Sequence, residues 1–96
     1  MPDSTPITLA HRLQRSDDVL FQNLDGEAVL LDLASEAYFG LNGVGTRVWE
    51  LLEAMPLLGD VSARLQLEYD VDQARADEDV LGLASRLVAS GLASVA

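Results

Sequence analysis

The 96-residue chain contains no cysteine and no lysine, and it has a single histidine, His11. Without cysteine there is no disulfide framework and no thiolate metal site, a composition suited to the cytoplasm. One histidine in a polar stretch supplies neither a zinc ligand set nor a catalytic triad. His11 is expected to be solvated. No apolar run approaches the ~18 residues of a membrane span, and the N-terminus has no signal-peptide core. Aromatic residues are scarce, only Phe21, Tyr38, Phe39, Trp49 and Tyr69, so the core must be built from Leu, Val and Ala. Positive charge is scarce as well. Six arginines face sixteen acids, for a formal net charge of -10. Such a chain is repelled by nucleic-acid phosphates and by anionic lipid.

What is present is enough hydrophobic residue, 49%, for one small folded domain. Residues 1–16 read as a polar, flexible N-terminal segment and residues 17–96 as the domain. "VLFQN" (19–23) and "EAVLLDL" (27–33) are rich in β-formers, and Asp25-Gly26 between them supplies the left-handed positions of a tight hairpin. "AYFGL" (37–41) follows as a third strand of an antiparallel meander. After Leu41 the apolar period lengthens to that of a helix. Asn42 can cap a first helix that Pro56 ends, a second starts near Asp60, and Asp72 can cap a third reaching about Ser90. Gly91 suits the residue after that helix, and "LASV" (92–95) can pair as a short edge strand. The expected class is therefore α+β, a three-stranded antiparallel sheet followed by three helices.

The glycines of "YFGLNGVGTRVWELL" invite a nucleotide-binding reading. Val48 stands where a dinucleotide fingerprint needs its third glycine, and a phosphate loop's lysine is missing. They are better explained as glycines at a crowded strand-to-helix junction. "DVDQARADEDV" (70–80) holds five acids, but Asp77, Glu78 and Asp79 are consecutive and point in different directions around a helix. Acids there suit a helix N-terminus without further function. The third helix is more unusual. Ala76, Val80, Leu83 and Leu87 make a core stripe, and Leu81, Ala84 and Val88 make a second one beyond Asp77.

"VLLDLASEAYFGLNGVGTRVWELL", followed by "LEYDVD" and "DVLGLASRLVASGL", resembles the PqqD-like family, the stand-alone peptide-modification chaperones also called RiPP recognition elements. The similarity runs from about Val19 to Leu92. It implies a winged helix-turn-helix-like fold and a binding function with no catalysis and no cofactor. Members hold the leader segment of a ribosomally made precursor peptide and present it to a modifying enzyme. That enzyme is a radical-SAM protein, a leader protease working with a lasso cyclase, or another maturase. In the family the leader adds as a strand to the third strand and lies against the third helix. The matching positions are Ala37, Tyr38, Phe39, Gly40 and Leu41, with Asp77, Leu81, Ala84 and Val88. Trp49 is expected to anchor its helix in the core, and acids near Asp77 to favour basic residues in the leader. Neither nucleic acid nor membrane is an expected partner, and the protein is expected as a monomer or weak dimer. A DNA-binding winged helix shares the topology, but its recognition helix should carry basic residues where Asp77, Glu78 and Asp79 stand. A structural subunit of a maturase complex is compatible with leader binding.

Overall fold

The computed structural model describes residues 6–96. Its elements run β1 (Leu13–Arg15), β2 (Val19–Leu24), β3 (Glu27–Asp32), β4 (Tyr38–Leu41), α1 (Gly43–Ala54), α2 (Leu58–Glu68), α3 (Gln73–Ala89) and β5 (Ala93–Val95). A three-stranded antiparallel sheet in the order β2-β3-β4 precedes the three helices, as expected, and β1 pairs with β5 in a separate two-stranded ribbon.

Local chemistry fixes the turns. Asp25 and Gly26 both take positive φ, 56° and 88°, and close the β2–β3 hairpin in a two-residue loop. Asp32 organises the next turn, its carboxylate accepting from the Ala34 N–H and the Ser35 hydroxyl. Asn42 caps α1 by accepting from the Gly45 N–H at 2.8 Å. A Cβ at Gly45 would stand 3.2 Å from the Asn42 Oδ1 and 3.3 Å from the Leu41 Cδ2, so the glycine makes room for this cap. Asp72 caps α3 through the Arg75 N–H, and Gly91 leaves the helix at φ 75°.

α2 begins at Leu58, two residues before the expected Asp60. No side chain caps it. The N-terminal segment does so with its backbone: the Leu58 N–H donates to the His11 carbonyl and the Gly59 N–H to the Leu9 carbonyl. These are two of the donors that a helix start leaves without partners. A Cβ on Gly59 would lie 3.2 Å from that Leu9 oxygen, which gives the glycine its place. His11 is half-buried rather than solvated, and its Nδ1 accepts from the Thr8 N–H. The flexible segment was expected over residues 1–16. Residues 1–5 lie outside the described residues, whereas Leu13 is fully buried in β1.

One face of the sheet, with Ala28, Leu30 and Leu41, packs on the helices together with Trp49, Leu58, Val61, Val80 and Leu87. Trp49 is only 3% exposed, in the core as expected, and the Arg15 guanidinium lies 5.1 Å from its ring centroid. A charged cluster binds α1 to α2: Arg47 meets Glu68 at 2.6 Å and Glu50 at 3.4 Å, and Arg64 meets Glu68 at 2.9 Å. Hydrogen bonds from Arg47 and then Arg64 lower the Glu68 pKa to about 2. The same bond raises Arg47 further above its ordinary value.

Candidate peptide-binding edge

β4 is the last strand of its sheet, so among the described residues one side of its backbone has no neighbouring strand. Which groups face out follows from the register. The Asp32 N–H donates to the Ala37 carbonyl at 2.9 Å, which makes that pair a hydrogen-bonded one. In an antiparallel ladder such pairs alternate, so Leu30↔Phe39 and Ala28↔Leu41 are bonded as well. The N–H and C=O groups of Phe39 and Leu41 are therefore used inside the sheet. Those of Tyr38 and Gly40 point outward and are available to another strand. Ala37 lies in the turn before β4, its carbonyl already engaged. Side chains alternate too: Leu41 is buried and Phe39 half-buried toward the helices, while Tyr38 stands 74% exposed on the opposite face.

The α3 side of this edge differs from the expectation. Arg86 of α3 reaches over the Phe39 ring, 5.9 Å from its centroid. Arg75, Asp79, Leu83 and Arg86 line a hollow of about 130 Å³ with Asn42, Val44, Gly45 and Val48, at the junction of β4 and α1. At about 100° per residue, Asp79 and Leu83 lie within roughly 60° of Arg86 around α3. Asp77, Leu81, Ala84 and Val88 lie about 140–180° from it, on the other shoulder of the helix. Their contacts agree with that placement. Asp77 accepts a hydrogen bond from the Ser62 hydroxyl of α2. Ala84 is core, 1% exposed, and Leu81 and Val88 are half-buried against the core. The α3 shoulder beside the β4–α1 junction is thus that of Asp79, Leu83 and Arg86, while the stripe expected to meet the peptide lies on the other shoulder. The charge over the Phe39 ring is thus the Arg86 guanidinium.

A larger cavity lies elsewhere, about 560 Å³ between β1, β2 and α1, lined by Arg12, Arg15, Phe21 and Trp49 among others. Among the described residues no cluster of three or more His, Asp or Glu is placed to hold a metal ion. Among the same residues no helix is long and apolar enough to cross a membrane.

The family model for coenzyme PQQ synthesis protein D (PqqD) matches residues 27–93. The chain belongs to the PqqD family. Among solved structures it is similar to TbiB1 in complex with the TbiA(beta) leader peptide, at 33% identity and a TM-score of 0.78, covering 84% of this chain and 94% of the other. It is also similar to lasso peptide synthetase B1 complexed with the leader peptide, at 26% identity and a TM-score of 0.70, covering 86% and 98%. No curated protein matches it. Arg86 was not among the positions expected at this edge, yet it stands over Phe39. The signal available was its position, seven residues after Asp79 and three after Leu83, on one helical shoulder.

Proposed function

We propose that this protein binds the leader segment of a ribosomally synthesised precursor peptide as a strand added to β4. It then presents the peptide to a modifying enzyme. The observation that carries this reading is the open β4 edge, whose Tyr38 and Gly40 backbone groups point away from the sheet beside the Arg86–Phe39 contact. A leader is disordered before binding and loses conformational entropy on docking. Backbone pairing supplies affinity with little demand on sequence, and side chains at the edge add selectivity. The solved neighbours hold leader peptides, and one of them is a lasso peptide synthetase B1, which supports a lasso-type pathway over PQQ formation. In that pathway the enzyme receiving the peptide is a leader protease acting with a cyclase. The protein itself carries the peptide and performs no bond chemistry.

The test is amide hydrogen exchange by NMR with the leader of the precursor encoded beside the gene. Protection should appear at the Tyr38 and Gly40 amides. Protection at Val19 and Phe21 instead would move docking to the β2 edge, next to the large cavity. A DNA-binding role is disfavoured by Asp77, Glu78 and Asp79 at the start of α3 and by the net charge of -10.

A further inference from the structure

The 560 Å³ cavity lies beside β2, at the opposite edge of the sheet from β4. Its apolar lining includes Leu13, Val19, Phe21, Trp49 and Leu52, and its volume is that of a ligand pocket. Phe21 pairs across the ladder with the core residue Leu30 yet is 39% exposed, so the helices leave this corner of the sheet open. Two of the six arginines stand on the rim. Arg15 is held there by the Trp49 carbonyl and by Glu53. Arg12, among the described residues, pairs with no carboxylate. Of the two acids on the rim, Glu53 is taken by Arg15 and Asp17 is exposed.

β2 is also an open edge among the described residues. The Leu33 N–H donates to the Asp18 carbonyl at 2.8 Å, which fixes the parity of the β2–β3 ladder. Leu20 and Gln22 therefore bond inward, and the backbone groups of Val19 and Phe21 point out of the sheet. The same two residues supply the side chains that wall the cavity. A free backbone edge beside an apolar hollow suits an extended peptide, whose alternate side chains enter the hollow.

The β4 site indicates which peptide. A strand pairing antiparallel to β4, the commoner arrangement, runs from the Leu41 end to the Tyr38 end. Tyr38 is in line with Leu31 and Leu20, so such a peptide leaves at the end of the sheet where Val19, Phe21 and the cavity lie. With strands about 4.8 Å apart, a strand beyond β4 and one beyond β2 stand roughly 19 Å apart, a gap that ~6 extended residues cross. A tether of that kind holds its free segment at a roughly millimolar effective concentration, enough to fill a weak site. A second copy of the chain is less suited, since each brings a net charge of -10.

We propose that the β2 edge and its cavity form a second strand site, occupied by the downstream part of the same precursor whose leader pairs with β4. The inference rests on the strand addition proposed above. The segment it fits is extended, sets an aromatic or branched aliphatic side chain against Phe21, and carries an Asp or Glu that reaches Arg12. The precursor then clasps both edges of one sheet.

The experiment titrates the full-length protein with two probes, the leader segment alone and the whole precursor encoded beside the gene. The precursor should bind about fivefold or more tightly than the leader. Amide exchange should show protection at Tyr38 and Gly40 with either probe, and at Val19 and Phe21 with the precursor alone. Arg12→Glu, at an exposed side chain, and Phe21→Ala should each remove most of the precursor's advantage and leave leader affinity within about twofold of the parent. Equal affinity for the two probes, with Tyr38 and Gly40 protected but Val19 and Phe21 not, overturns the proposal while sparing the β4 site. An advantage that survives both variants overturns it as well. Protection at Val19 and Phe21 without peptide, lost on dilution, assigns the edge to a second copy and also overturns it. A leader that protects neither Tyr38 nor Gly40 strikes the strand-addition reading, and this proposal with it.

Discussion

The Arg86 guanidinium stands 5.9 Å from the centroid of the Phe39 ring and joins α3 to the strand at the edge of the sheet. A partly exposed cation–π contact contributes about 0.5–1 kcal/mol. Arg86→Ala should therefore lower the unfolding midpoint by only a few degrees, roughly 2–8 °C for a domain of this size. It should weaken leader binding by about 3- to 10-fold, since it also removes a wall of the proposed groove. Leu81→Ala should show the reverse balance, a loss of about 1–2 kcal/mol in stability with little change in affinity. Thermal unfolding and peptide titration of both variants check the assignment. If Leu81→Ala abolishes binding in a stable fold, the peptide lies on the other shoulder of α3.

Proline substitutions separate the two sides of β4. Gly40→Pro removes an N–H that points out of the sheet, which an edge strand tolerates. The fold should persist while leader affinity falls by about tenfold or more, because one of two available donors is gone. Gly40→Ala serves as the control, since a Cβ there meets nothing within 4 Å. Phe39→Pro deletes a donor used to bond Leu30 and should lower the unfolding midpoint instead. Equal binding by Gly40→Pro and the parent would remove backbone pairing at this edge from the mechanism.

Trp49 tests the core. It is 3% exposed and packed beneath Arg15. Trp49→Ala should cost about 3–5 kcal/mol in urea unfolding, a large part of the 5–15 kcal/mol typical of small domains. A variant that stays fully stable yet no longer binds peptide would instead place Trp49 in the binding site.

The Glu68 cluster gives a pH signature. Its carboxylate pKa is lowered from 4.5 to about 2 by Arg47 and Arg64, so folding favours the ionised form. The stability that this pairing adds is fully present above pH 4.5 and is lost as pH falls toward 2. Glu68→Gln should thus melt below the parent at neutral pH, with the difference vanishing at the acid end of that window. The pair is near the surface, so the neutral-pH difference should be small and should shrink in high salt. A difference that persists below pH 2 would mean that packing, not charge, links α1 to α2 here.

Features set by neighbours in sequence were legible before the structure. Asn42 and Asp72 as caps, Asp25-Gly26 as a hairpin turn and Gly91 after α3 each depend on a few adjacent residues. The rotation of α3 does not. Apolar positions flank its core stripe on one side only, so hydrophobicity pointed to Leu81 and Val88. The strand lies instead under the long side chain of Arg86, whose aliphatic stem and cation both suit an aromatic ring. The outward groups of β4 were equally hidden. They depend on the parity of the ladder, which the pairing of Asp32 with Ala37 decides. The β1–β5 ribbon joins segments nearly a whole chain apart, and Leu13–Arg15 alone carries no strong strand pattern.

Backbone capping of α2 by Leu9 and His11 bears on where this protein can be cut or joined to another. The family match starts at Glu27, after β1, β2 and the capping segment have passed. A fragment beginning there would leave two α2 amides without their acceptors and strip β5 of its partner strand. It would also uncover the core where Leu13 sits. Peptide carbonyls can serve as caps whatever side chains flank them, so the grip of Leu9 and His11 on α2 does not depend on their side chains, whereas Leu13 is held by the core. Trimmed or fused versions should retain it intact, with any added domain placed ahead of Pro6.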